Sequence, residues 1–219
     1  MSDQAIRARD HKISWQFALP LFVGVLLFVL MILAGNRLLN DPDIYWHLAV
    51  GDWIAAHHAF PHKDPFSLTM AGKPWIAKEW ASQITFAAAY ALSGWAGIVA
   101  ISAAGIALTF ALLARALMRE LSLVPALVLV MAALLLAAPH LVARPHVLAM
   151  PLMVLWAGGL VAAADAKRAP SFLLLPLMTL WANLHAGFTF GLVLILPFAA
   201  ECIWHAHPRA RTPLLGRPA

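Results

Sequence analysis

Charge is scarce in this chain. Only 11% of its 219 residues are Asp, Glu, Lys or Arg, against 63% hydrophobic, and a soluble domain carries about twice that charged share. One soluble core of this size cannot hide so much apolar surface, so the composition points to an integral membrane protein. Cysteine is scarcer still: the single Cys202 excludes an internal disulfide and leaves the redox compartment unread. No internal repeat is evident. The net charge of +5 does not indicate nucleic acid, because the basic residues stand at the ends of apolar runs, where they orient helices.

What is abundant is the long apolar run. Residues 1–12 read as a cytoplasmic tail. Ile13–Gly35 is longer than the core of a signal peptide, about 7–15 residues, and reads as an uncleaved first transmembrane helix. Residues 36–94 form a polar and aromatic segment outside the membrane with interfacial helices. Within it, Ile84–Leu92 is apolar but short and is broken at Ser93-Gly94. Five further spans fill 95–203: Trp95–Met118, Leu121–Ala138, Val147–Ala164, and two from Ser171–Ile203. As one helix, that last run would be about 50 Å long, too long for a bilayer core of about 30 Å. The polar "NLHAGF" at its middle predicts a hairpin turning at Asn183–Gly187. Residues 204–219 read as a disordered cytoplasmic tail. The expected fold class is all-α, a polytopic bundle of about six spans.

Six spans starting inside leave both termini inside. Ten basic residues (Arg7, Arg9, Lys12, Arg115, Arg119, Lys167, Arg168, Arg209, Arg211 and Arg217) then fall on the cytoplasmic side. Five (Arg37, Lys63, Lys73, Lys78 and Arg144) fall outside, the asymmetry expected of a cytoplasmic membrane protein. The polar clusters all face outward.

Those clusters hold the residues able to carry chemistry. "NDPDIYWHLAVGDW" places Asp41 and Asp43 where the first helix leaves the membrane. One reading is a helix start, with Asp41 as cap and Pro42 in the first turn. The other is a paired-carboxylate site: one acid takes a proton from an attacking hydroxyl, and the pair can hold a divalent cation such as Mg or Mn. His47 follows on the same helix. Glu79 in "KPWIAKEW" is either a partner of Lys78 or a third carboxylate facing the same cavity. His57, His58 and His62 read as solvated, since adjacent histidines on a helix point apart and chelate poorly. Arg144 and His146 flank Pro145 between two spans. Positive charge is not favoured there, so lipid head groups or a bound phosphate are expected to hold Arg144. Asn183 and His185 either link helices or line a substrate cavity.

The blocks "DPDIYWHLAVGDWI", "FPHKDPFSLTMAGKPWIAKEW", "ARPHVLAMPL" and "LWANLHAGFTFGL" resemble bacterial membrane proteins of the C-type (GT-C) glycosyltransferase superfamily, over most of Asp41–Leu192. The resemblance implies an enzyme that takes a sugar from a polyprenyl-phosphate carrier at the outer face of the bacterial cytoplasmic (inner) membrane. It implies an aspartate just after the first helix acting as base or metal ligand, a position that Asp41 and Asp43 occupy. Asp43 is the preferred base and Asp41 the residue that orients it or holds a cation. Arg144 would meet the donor phosphate. His146, Glu79, His47, Asn183 and His185 would line the substrate. Superfamily members have more spans, so the chain is expected to be an N-terminal part, or to have its remaining helices supplied by a partner chain. The competing reading is a non-enzymatic membrane protein, either a transporter or a subunit that binds lipid-linked glycans. Transport would favour acids at the bilayer midplane rather than at the surface.

Overall fold

The computed structural model describes residues 3–206. Among these the chain is all-α, with α1 (Asp3–Leu33), α2 (Gly35–Leu38), α3 (Asp43–His57), α4 (Trp80–Glu120), α5 (Leu123–Ala137), α6 (Pro145–Asp165), α7 (Leu174–Leu184), α8 (Phe188–Val193) and α9 (Ile195–Ala206). A 3-10 turn, Ala138–His140, joins α5 to α6. The helix of α1 starts at Asp3, so the expected tail over 1–12 is helical from that residue onward. Most of the expected C-terminal tail, and Arg209, Arg211 and Arg217 with it, lies outside the described residues.

Three helices are long and apolar enough to cross a membrane, Trp80–Glu120, Leu123–His140 and Pro145–Asp165, and the chain is a membrane protein. The count differs from the six spans expected. Leu174–Leu184 and Phe188–Trp204 are apolar but shorter, whereas α1 runs for 31 residues. The reason is visible at residue 185, where the backbone is extended (φ −160°, ψ 142°) and ends α7. Eleven residues of α7 rise only about 16 Å, half of a bilayer core. The break falls within the expected turn at Asn183–Gly187, and the chain doubles back there. A Cβ on Gly191 would stand 2.5 Å from the ring of Trp181, a contact that ten residues of continuous helix would put about 15 Å apart.

A second reversal occurs inside α4. Gly94 has φ 59° and ψ −142°, a backbone region open essentially to glycine alone. Beyond it the chain folds back so closely that a Cβ on Gly97 would lie 2.0 Å from the carbonyl oxygen of Ala89. The segment 80–93 thus becomes a separate limb. It packs on α3 through Phe86, which joins Ile44 and Leu48 in a buried cluster with Ile98 of the limb beyond Gly94. Gly51 allows the close approach, since a Cβ there would meet the Gln83 carbonyl oxygen at 2.2 Å. The limb 95–120 forms the centre of the bundle. Leu27 of α1, Val130 of α5 and Val147 of α6 pack with its Ala103, Ile106, Ala107 and Phe110. Lipid tails are as apolar as leucine, so close packing of small residues, rather than water exclusion, holds such helices together. A Cβ on Gly24 would sit 3.1 Å from Ala111 Cβ, and one on Gly105 would sit 2.5 Å from the Val147 carbonyl.

These reversals gather three polar links at one end of the bundle. The backbone N–H of Ala143 donates to the carbonyl of Leu38 (2.7 Å), tying the start of α6 to the end of α2. The Trp80 indole N–H donates to Asn183 Oδ1 (2.6 Å), and the Ser82 hydroxyl donates to the Leu184 carbonyl (2.7 Å), tying the start of α4 to the end of α7.

A carboxylate and histidine cavity at one end of the bundle

A cavity of about 510 Å³ opens where these links meet, lined by Asp43, Trp46, His47, Glu79, Arg144, Pro145, His146 and His185. The lining comes from four places in the chain: the first turns of α3, the residue before α4, the start of α6 and the α7–α8 link. Six of the eight residues singled out in the sequence line it. Asp41 stands directly behind, bonded to Arg144. Asn183 is placed elsewhere in the constellation: its amide accepts from Trp80 and donates to the Thr179 carbonyl (2.8 Å), so it holds the α7 end against α4. Its partner lies 103 residues away, which no local pattern reveals. Trp46 also lines the cavity.

Within the chain, what holds Arg144 is the acid pair. Arg144 Nε lies against Asp41 Oδ2, and Nη2 donates to Asp41 Oδ1 (3.1 Å) and to Asp43 Oδ2 (2.6 Å). The Asp41 side chain is only 13% exposed and that of Asp43 57%, so the inner acid depends on the guanidinium most. The helix starts one residue later than the capping reading expects, with Pro42 at the cap position and no side-chain cap bond, although Asp41 Oδ1 accepts the N–H of Asp43 (3.0 Å). Of the oxygens that would hold a Mg or Mn ion, both of Asp41 and Oδ2 of Asp43 are turned to Arg144. Among the described residues no group of three or more His, Cys, Asp or Glu is disposed to bind a metal.

Glu79 is placed differently. Its side chain is 15% exposed, and Oε1 stands 4.0 Å from His185 Nε2. His185 Nδ1 accepts the backbone N–H of Gly187 (3.0 Å). A neutral His185 therefore carries its proton on Nε2, on the side of Glu79. Burial lowers the His185 pKa; Glu79 pulls it up and Lys78 pushes it down. His47 is buried, and its Nδ1 has no hydrogen-bond partner among the described residues. Burial lowers its pKa too, against the opposing pull of Glu79 and Asp43. His146 is fixed by a 2.7 Å bond from Nε2 to the His140 carbonyl and meets the His185 ring edge to face. Around the cavity, Asp43 and Glu79, with Asp41 behind, face the guanidinium of Arg144 and imidazoles whose burial disfavours the charged form.

The loop 58–79 covers the α3 side. Asp64 is its anchor: its carboxylate accepts the Ser67 hydroxyl and the N–H groups of Phe66 (2.8 Å) and Ser67 (3.1 Å). The Ser67 hydroxyl, followed by the Phe66 N–H, holds the Asp64 pKa below its ordinary value. A single antiparallel bridge, Lys63 to Pro74, closes the loop. It thereby brings Trp75 and Phe66 edge to face with Trp46, at 5.0 and 5.2 Å between centroids. His57, His58 and His62 are exposed, as the sequence suggests, with His57 stacked on Trp53. The chain matches no protein-family model, no curated protein and no solved structure.

Proposed function

We propose that this chain is a membrane glycosyltransferase of the GT-C type, or the N-terminal part of one, using a polyprenyl-phosphate-linked sugar at the outer face of the bacterial cytoplasmic membrane. The observation that carries the reading is the cavity: carboxylates, imidazoles, a guanidinium and a tryptophan from four chain segments converge at the end of apolar helices. A sugar leaving a phosphate develops positive charge at its anomeric carbon, and a cavity lined by carboxylates stabilises that charge where it forms. Trp46 offers an aromatic face for a sugar ring. The acids engage Nε and Nη2 of Arg144, so Nη1 is the side a phosphate oxygen can approach. The polar groups sit at helix ends rather than mid-helix, which favours surface chemistry over a transport pathway.

The test is transfer itself. The full chain, purified in lipid nanodiscs, is incubated with synthetic polyprenyl-phosphate hexoses and pentoses carrying radiolabelled sugar, together with alkyl glycosides as acceptors. Label should pass to an acceptor, and heat-inactivated protein should give none. Binding of the labelled lipid with no transfer from any donor would instead favour the glycan-binding reading.

A further inference from the structure

Three carboxylates stand at this cavity, and only one of them is free of the guanidinium. Resting on the glycosyltransferase reading, we propose that Glu79 is the general base, and that Asp41 and Asp43 serve to hold Arg144. The sequence favours Asp43 as base because of its place after the first helix. The geometry divides the work otherwise. Both Asp41 oxygens meet Arg144, and one also accepts the Asp43 N–H. Asp43 Oδ2 is bonded to Nη2, and the rest of its side chain is largely open to solvent.

Glu79 lines the same cavity with a mostly buried side chain, and its nearest ionisable partner is His185 at 4.0 Å. The Gly187 N–H fixes that ring so that Nε2, the protonated nitrogen of the neutral form, faces Glu79. A neutral imidazole at 4.0 Å neither hydrogen-bonds the carboxylate nor neutralises it, so a Glu79 oxygen stays open to a proton. His47, with its Nδ1 unpartnered among the described residues, faces the same space. Two interhelical bonds, Trp80 to Asn183 and Ser82 to the Leu184 carbonyl, fasten the residues next to Glu79 onto those next to His185. The pair is therefore held at a fixed spacing by its own flanks. In the transfer step the acceptor oxygen bonds to the anomeric carbon. The bond from that carbon to the phosphate oxygen breaks, its electron pair leaving with the polyprenyl phosphate. The hydroxyl proton passes to a carboxylate oxygen of Glu79.

The experiment measures single-turnover transfer and donor binding separately, on the full chain in nanodiscs, with the radiolabelled polyprenyl-phosphate sugar that the wild type uses. Glu79→Gln should slow transfer by about 100-fold or more while donor binding stays at the wild-type level. Glu79→Asp should recover part of the rate, which also shows that the site tolerates change without unfolding. Asp43→Asn should mainly weaken donor binding. Wild-type transfer rates in Glu79→Gln, with transfer lost and donor binding kept in Asp43→Asn, would overturn the assignment and return the base to Asp43. If the wild type transfers from no donor, the glycosyltransferase reading fails first, and the assignment falls with it.

Discussion

Arg144→Met should lower the thermal midpoint of the detergent-solubilised protein and abolish donor binding together. The substitution keeps the stem and removes the cation that faces Asp41 and Asp43. Asp41, at 13% exposure, then keeps a charge without full hydration and with only the Asp43 N–H still bonded to it. A buried polar group stripped of its partner costs about 1–3 kcal/mol, and a charged one more. The link between the start of α3 and the start of α6 also loosens, leaving the Ala143–Leu38 backbone bond and the packing of Ala143 with Ile44 and Leu48 to tie this corner. Arg144→Lys restores charge but not the fork that meets Asp41 through Nε and Nη2 at once, so its midpoint should lie between the two. Asp41→Asn added to Arg144→Met should recover part of the loss, because the stranded charge is gone. The midpoint is read by tryptophan fluorescence. An unchanged midpoint in Arg144→Met would mean that the acid pair does not depend on the guanidinium.

Gly97→Val should be the most damaging single substitution in the bundle. Its side chain would start 2.0 Å from the Ala89 carbonyl oxygen, which is backbone and cannot swing away. The fold-back at Gly94 would have to open, carrying limb 80–93 and Glu79 away from the bundle. Overpacking costs about 1–3 kcal/mol where side chains can yield, and a backbone clash of this depth leaves less room to yield. Gly94→Ala tests the same corner without the clash: it forces a side chain into φ 59°, ψ −142°, at a cost of about 1–3 kcal/mol. The expected result is loss of the monodisperse peak in size-exclusion chromatography for Gly97→Val, and a lowered midpoint with the peak retained for Gly94→Ala. By contrast, Gly158→Ala, where a Cβ meets nothing within 4 Å, should behave as wild type.

These two corners show what a single sequence can and cannot tell. Breakers are local, so Ser93-Gly94 and the "NLHAGF" turn are legible: glycine and polar residues inside apolar runs leave the helix few alternatives. Helix class and apolar length are legible for the same reason. The shortness of α7 follows from the same turn, since a break at residue 185 in a run that begins at Ser171 leaves too few residues for a full span. Pairing, by contrast, is not legible. Arg144 meets Asp41 and Asp43 across more than 100 positions, and Trp80 meets Asn183 across 103. Periodicity reports which face of a helix is apolar but never which helix will face it. The sequence picks out Arg144 as a cation that needs an anion. The anion is two residues of the same chain, and only the packing of α6 against the α2–α3 corner reveals it.

The cavity ringed by Asp43, Trp46, His47, Glu79, Arg144, His146 and His185 is proposed to receive the sugar-phosphate end of a lipid-linked donor. Photo-crosslinking tests it most directly. A polyprenyl-phosphate sugar analogue carrying a diazirine on the sugar is irradiated with the full chain in nanodiscs, and the labelled peptides are identified by mass spectrometry. Labelling should fall on 43–47, 75–80, 144–146 and 185–187, should be displaced by unlabelled donor, and should vanish in Arg144→Met. Labelling spread along the lipid-facing sides of α1 and α5, undiminished by competitor and unchanged in Arg144→Met, would contradict it.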